Sequence, residues 1–147
     1  MNTTNKAGAV RLYSPQLLAL ATQLAAFPFD ESLPLQAEAR SRSCGSVITL
    51  GLALGDDGRI AQIGMQVSAC AVGQASAALL AQAAHGAEPA RLRQTADGLA
   101  AWLAGEGDLP DWPGLDALAP ALLHPGRHGA LLLPWNAAAR ALSSGTA

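Results

Sequence analysis

Two cysteines, Cys44 and Cys70, are the side chains best suited to chemistry in this chain, and they are its only thiols. A thiolate is both a nucleophile and a soft metal ligand. The two cysteines flank a predicted β-hairpin whose arms cover residues 47–54 and 59–67. The connection between the arms, residues 55–58, reads GDDG, and glycine and aspartate favour tight turns.

The pairing of the hairpin arms predicts how close the two thiols come. If residues 56–57 form a two-residue loop, Leu54 faces Arg59 and Cys44 falls one step short of Cys70. One extra residue in either arm, an ordinary β-bulge, then places the cysteines opposite each other. Directly opposed residues have Cβ atoms about 5 Å apart, so local pairing alone predicts a two-thiol site.

The segment after the hairpin predicts a buried helix from about Cys70 to His85. Ser68 is a candidate N-cap, and Gly86 ends the pattern. Nearly every side chain in this segment is small or apolar, which predicts the most buried helix of the fold. Cys70 therefore lies where a strand ends and a helix begins, and free backbone N–H groups at such a position favour a thiolate.

The rest of the chain predicts an α+β fold with a three-stranded antiparallel sheet packed against about five helices. Residues 1–147 are expected to form one domain, with residues 1–11 as a loose tail. In chain order, the other predicted elements are a helix capped by Ser14 that ends at residues 27–29, a strand over 35–42, helices over 89–104 and about 113–123, and a final helix that begins near Pro134.

Composition and charge exclude several classes of function. The net charge is −2 and there is no basic run, which argues against nucleic acid as the main partner. No apolar run approaches the ~18 residues that a membrane span needs, so no membrane association is expected. Two cysteines are too few for a secreted disulfide framework, and a cytoplasmic location is predicted. No catalytic triad, phosphate loop or dinucleotide fingerprint is present, so the sequence indicates none of these catalytic classes.

Three segments together resemble a known family. Residues 44–46 read CGS, residues 64–76 read GMQVSACAVGQAS, and residues 127–135 read RHGALLLPW. In this order and spacing they resemble the motifs of the U-type iron–sulfur cluster assembly scaffolds, namely IscU, SufU and the N-terminal domain of NifU. The resemblance implies a non-enzymatic scaffold or sulfur acceptor that carries a transient iron–sulfur cluster or zinc. It also implies a cysteine desulfurase and iron–sulfur apo-proteins as partners.

The chain departs from the family motifs at two ligand positions. Ser46 stands where the family has an aspartate, and Ala130 stands where it has a third cysteine. The resemblance therefore leaves Cys44 and Cys70 as sulfur acceptors and metal ligands. His128 is a candidate third ligand, because two cysteines with a histidine form an acceptable soft site for iron or zinc.

Other interpretations of the cysteine pair stay open. The chain is alternatively a degenerate family member without metal, acting as an interaction or regulatory partner of a cysteine desulfurase. A dithiol redox switch is a third interpretation. Two cysteines in an alanine-rich chain also serve simply as small buried hydrophobic residues.

Overall fold

The computed structural model of the chain describes residues 12–42 and 45–144. The predicted tail over residues 1–11, and Cys44 itself, lie outside the described residues. In chain order the elements are α1 (Pro15–Gln23) with a 3₁₀ turn (Leu24–Ala26), β1 (Leu35–Arg40), β2 (Val47–Leu54), β3 (Ile60–Ser68), α2 (Ala71–Ala84), α3 (Pro89–Leu103), two 3₁₀ helices (Leu115–Leu123 and Pro125–Arg127) and α4 (His128–Ser144).

The three strands form one antiparallel sheet in the order β1-β2-β3, with helices covering one face. Alternate residues of β2, namely Ile48, Leu50 and Leu52, have no solvent exposure and point into the helical layer. Helix α4 packs on β1 and β2, and α2 packs on β3 and α4. The predicted α+β fold is confirmed, with α1 to α4 and the 115–123 3₁₀ helix as the five main helices of the described chain.

The first helix begins as the sequence predicts. The Ser14 hydroxyl accepts a hydrogen bond from the Leu17 N–H at 3.1 Å, and Pro15 occupies the first helical position. Proline loses nothing there, because that N–H has no partner within the helix. Leu17 is 1% exposed and anchors α1 to the core.

The predicted two-residue hairpin loop is wrong. The Gly58 N–H donates to the Gly55 carbonyl at 3.0 Å, and the Gly55 N–H donates to the Arg59 carbonyl at 2.7 Å. Gly58 has a φ of 79°, which fits a three-residue loop ending in a left-handed residue. Leu54 consequently pairs with Ile60 rather than with Arg59.

A second irregularity shifts the hairpin register once more. Between Ala53 and Leu54 the ladder is interrupted, so that Ala53 pairs with Gln62. From there the register continues unbroken to the pair Val47–Ser68. The two extra residues on β3 move its far end two positions beyond the pairing expected from a two-residue loop.

Helix α4 begins six residues before the predicted start. It starts at His128, and Pro134 lies inside it rather than at its first turn. Proline in a helix removes one intrahelical hydrogen bond, here the one that would reach the Ala130 carbonyl. Pro134 is buried, and the packing of α4 against the sheet offsets this loss.

A buried polar link joins α2 to α4. The Trp135 indole N–H donates to the Ser76 hydroxyl at 3.0 Å, and that hydroxyl donates to the Leu131 carbonyl at 2.6 Å. The Trp112 ring meets Trp135 edge to face at 5.1 Å between centroids, and its own N–H donates to the Leu79 carbonyl at 2.9 Å. The tryptophans therefore satisfy their polar atoms while filling the core.

The segment after α1 crosses to the free edge of β3. Gly51 and Gly64 face each other across β2 and β3. A Cβ at Gly64 would clash with the Pro28 carbonyl, so the absent side chain lets the segment approach. The Met65 N–H donates to the Phe27 carbonyl at 2.9 Å and fixes that crossing.

None of the helices in the described part of the chain combines the length and the apolar character that a bilayer span requires.

Candidate functional site

Cys70 occupies the N-cap position of α2. Its backbone is extended, with φ −67° and ψ 172°, and its carbonyl accepts the first helical hydrogen bond from the Gln74 N–H at 3.0 Å. The cysteine side chain makes no capping hydrogen bond and is half-buried. The predicted cap at Ser68 is wrong, because Ser68 is still the last residue of β3. Cys70 therefore has its thiol at the start of a buried helix, as the sequence predicts.

The pairing of β2 with β3 places Ser46 next to the residue that precedes Cys70. Val47 pairs with Ser68, so the next step of the same register places Ser46 beside Ala69. Ser46 is 4% exposed, and its carbonyl accepts from the Ser41 N–H at 2.8 Å. A neutral hydroxyl thus takes the place where a carboxylate would bind a cation more strongly.

The loop between β1 and β2 carries the second cysteine. The Gly45 N–H donates to the Ser41 carbonyl at 3.0 Å, and Gly45 has a φ of 70°. Cys44 is bonded directly to Gly45 but lies outside the described residues. The structure therefore places the chain that follows Cys44, while the position of its thiol stays a prediction.

Ala130 packs against the first turn of α2. A Cβ built on Gly73 would lie 3.2 Å from the Ala130 Cβ and 2.8 Å from the Ala69 Cβ. Because Gly73 is three residues after Cys70, residue 130 lies within about one helical turn of the thiol. Ala130 is 1% exposed and carries no donor atom. Residues 46, 70 and 130 therefore converge on one region, although only Cys70 among them carries a thiol.

His128 lies at the start of α4 with one ring nitrogen already engaged. Its Nε2 is 3.0 Å from the Ala121 carbonyl oxygen and 3.1 Å from that of Leu122. Carbonyls only accept hydrogen bonds, so we assign the proton to Nε2. With Nε2 engaged in this way, any bond from this ring to a metal must come from Nδ1.

The surroundings of Cys70 are uncharged over a long stretch of chain. Residues 60–84 contain no Asp, Glu, Lys or Arg. Over residues 12–42 and 45–144, no group of three His, Cys, Asp or Glu side chains is placed to hold a metal ion. The described donors at this region are the Cys70 thiol and the Ser46 hydroxyl, whereas the described contacts of the His128 ring are with the carbonyls of Ala121 and Leu122, so the described residues do not form a complete site.

Two residues of this region lie in the resembling segments but were not proposed as site residues from the sequence. Gly73 leaves room for residue 130, and its signal was a small residue one turn after Cys70. Arg127 donates to the Tyr13 hydroxyl at 3.2 Å through Nε and at 2.9 Å through Nη2. This contact joins the entry to α1 with the approach to α4, and no local pattern predicts it.

Known structures share this fold. The N-terminal part of a nitrogen-fixing NifU-like protein from Brucella abortus is 26% identical, with a TM-score of 0.86, and the match covers 92% of this chain and 95% of that one. A proposed iron–sulfur cluster assembly scaffold protein for the SUF system of Fervidobacterium islandicum is 19% identical, with a TM-score of 0.73, and covers 88% and 95%. These matches support the predicted resemblance to the U-type scaffold family.

No protein-family model matches the sequence, and no curated protein matches it.

Proposed function

We propose that this chain, which has the fold of NifU-like and SufU proteins, is an iron–sulfur cluster assembly protein that uses Cys70 and Cys44 as its working thiols. The observation that carries the proposal is the position of Cys70. Cys70 is the N-cap residue of α2 and its side chain is half-buried. Ser46 and Ala130, which stand at the other ligand positions of the resembling family, lie beside residues 69 and 73, on either side of Cys70 in the chain.

Sulfur acceptance is the step that the Cys70 position favours. The thiolate attacks the outer sulfur of a persulfide on a cysteine desulfurase. A new S–S bond forms at Cys70 Sγ, the S–S bond of the donor breaks, and the desulfurase leaves as a thiolate. No external oxidant or reductant is consumed. The segment that contains Cys70, residues 60–84, adds no charged side chain that would repel a partner.

Metal binding is the second role that we propose for this chain. Cys44 and Cys70 supply two thiolates and His128 supplies Nδ1, while the Ser46 hydroxyl replaces a stronger carboxylate. Such a donor set suits iron or zinc but holds either one less firmly than four strong ligands do. A weakly held cluster is cargo that passes on to apo-proteins. The chain acts here as a carrier rather than an enzyme, in a reducing cytoplasm that keeps both cysteines as thiols.

A sulfur-transfer assay tests this proposal. The protein is incubated with a pyridoxal-phosphate cysteine desulfurase and L-cysteine, and sulfur added to each cysteine is mapped by mass spectrometry. We expect Cys70→Ser to lose most of the added sulfur, Cys44→Ser to lose a smaller share, and the matched Ser68→Ala variant to behave as the wild type. Equal labelling of wild type and Cys70→Ser contradicts the role of Cys70.

A metal-free regulatory role is the second candidate function. It is favoured by Ala130, which is 1% exposed and offers no ligand atom where the family has a cysteine. In that case the protein binds the desulfurase and changes its rate, yet no sulfur appears on either cysteine. The same assay, with desulfurase turnover measured in parallel, separates the two functions.

A further inference from the structure

A groove of about 700 Å³ runs along the free edge of β3. One wall is the segment that follows α1, and the other is the C-terminal end of α2. The lining mixes apolar side chains with the polar or ionisable side chains of Asp30, Glu31, Gln62 and His85. The apolar residues that matter below are Phe27, Phe29, Ile63 and Ala81.

Ile63 lines this groove, and its backbone groups face the free edge of β3. The Met65 N–H points away from β2, because it donates to the Phe27 carbonyl at 2.9 Å. Antiparallel strands alternate the direction of their backbone groups, so Ile63, two residues earlier, also presents its N–H and C=O to the free edge. Within residues 12–42 and 45–144, neither group of Ile63 has a backbone hydrogen-bond partner outside the sheet.

Other segments of the chain already occupy the edge on both sides of Ile63. Towards the end of β3, Phe27 pairs with Met65. Towards the start of β3, the Ile60 N–H donates to the Ala87 carbonyl at 2.9 Å, and its own carbonyl accepts from Gly86 at 2.8 Å. The open stretch therefore fits a short extended segment and excludes a long strand.

The lip of the groove is acidic. Asp30 and Glu31 both line it, and neither is in an ion pair among the described residues. The Ser32 hydroxyl and N–H both donate to Asp30 Oδ1, at 2.7 and 2.9 Å, and they hold the pKa of that carboxyl below its usual range. Arg59, a nearby cation, forms an ion pair with Glu88 and donates a hydrogen bond to the Gly86 carbonyl.

We propose that this groove binds a short extended segment of a partner protein that alternates aliphatic and basic residues. The segment adds to the edge of β3 at Ile63, places its aliphatic side chains against Phe27 and Ala81, and directs its cations to Asp30 and Glu31. Charge complementarity with the acidic lip selects a basic partner over an acidic one.

The groove is separate from the proposed sulfur chemistry. Ala81 lies eleven residues beyond Cys70, which is about 16 Å along the helix axis. A partner seated in the groove leaves Cys70 uncovered. Peptide binding in the groove therefore does not depend on the proposed function, and Cys70→Ser is expected to leave that binding unchanged.

Titration of the full chain with two synthetic peptides tests the inference. One peptide alternates valine and lysine over five residues, and the other alternates valine and glutamate. We expect the lysine peptide to bind with a Kd below about 1 mM and to shift the amide NMR signal of Ile63. The glutamate peptide is expected to bind at least about tenfold more weakly, because it meets the carboxylates with like charge.

Two variants and a control variant test whether the groove and its carboxylates bind the lysine peptide. Ala61→Arg places a cation in the groove, and the double variant Asp30→Asn, Glu31→Gln removes its charge; each is expected to weaken lysine-peptide binding about tenfold. Ala90→Arg, on the exposed surface of α3 and outside the groove, keeps wild-type binding. Absence of binding at about 1 mM, or equal binding of both peptides, overturns the inference.

Discussion

Replacing Trp135 with alanine is expected to lower the free energy of unfolding by about 3–5 kcal/mol. Trp135 is the largest of the fully buried side chains and has no solvent exposure. The substitution removes its ring from the Trp112 edge and leaves the Ser76 hydroxyl without its donor. The free energy of unfolding of a single domain is about 5–15 kcal/mol, so this loss is a large share of the total.

Urea denaturation of matched variants measures this effect. Trp135→Phe keeps one six-membered aromatic ring and loses the five-membered ring of the indole together with its N–H. Ser76→Ala leaves the buried indole N–H unsatisfied, with an expected cost of about 1–3 kcal/mol. Leu123→Ala is the control, because Leu123 is 82% exposed and should change stability by less than about 0.5 kcal/mol. If Trp135→Ala costs no more than Leu123→Ala, the description of the α2–α4 core is wrong.

Replacing Ala130 with cysteine is expected to tighten zinc binding roughly a hundredfold. Residue 130 lies beside Gly73, within about one turn of Cys70, so the new thiol joins the proposed site. Structural zinc binding amounts to about 10–16 kcal/mol for four ligands, or about 3 kcal/mol for each ligand. An added ligand of that strength corresponds to about two orders of magnitude in Kd.

Competition with a chromophoric zinc chelator measures the affinity. Ala130→Ser is the matched control for size and polarity, and Ala90→Cys controls for a third thiol placed on the exposed surface of α3. Circular dichroism checks that the variant folds, since Ala130 is 1% exposed. An affinity for Ala130→Cys equal to that of Ala90→Cys places residue 130 outside the metal site.

The helices and strands and their order along the chain could be predicted from the sequence, because the local sequence signals for these elements are strong. Ser14 before Pro15 marks the start of α1, and the alternation in β2 marks its buried face. The hairpin register was not predictable at single-residue precision. GDDG accommodates loops of two or three residues, and the interruption beside Ala53 has no local signature.

The candidate site was predictable in part. A cysteine at the junction of β3 and α2 follows from local pattern, and the structure places Cys70 there. The start of α4 was missed because proline usually marks a first helical turn, whereas Pro134 is held inside the helix by tertiary packing. The engagement of His128 with the carbonyls of residues 121 and 122 depends on that earlier start. The metal-ligand roles of Cys44, Cys70 and His128 stay predictions.

Anaerobic reconstitution with ferrous iron and sulfide tests the central claim most directly. Iron and acid-labile sulfide are counted per chain after gel filtration, for the wild type, Cys70→Ser, Cys44→Ser and Ser68→Ala. The account predicts that the wild type and Ser68→Ala retain iron and sulfide in equal amounts and that both cysteine variants lose them. Retention by Cys70→Ser at the wild-type level, or no retention by any form, would contradict it.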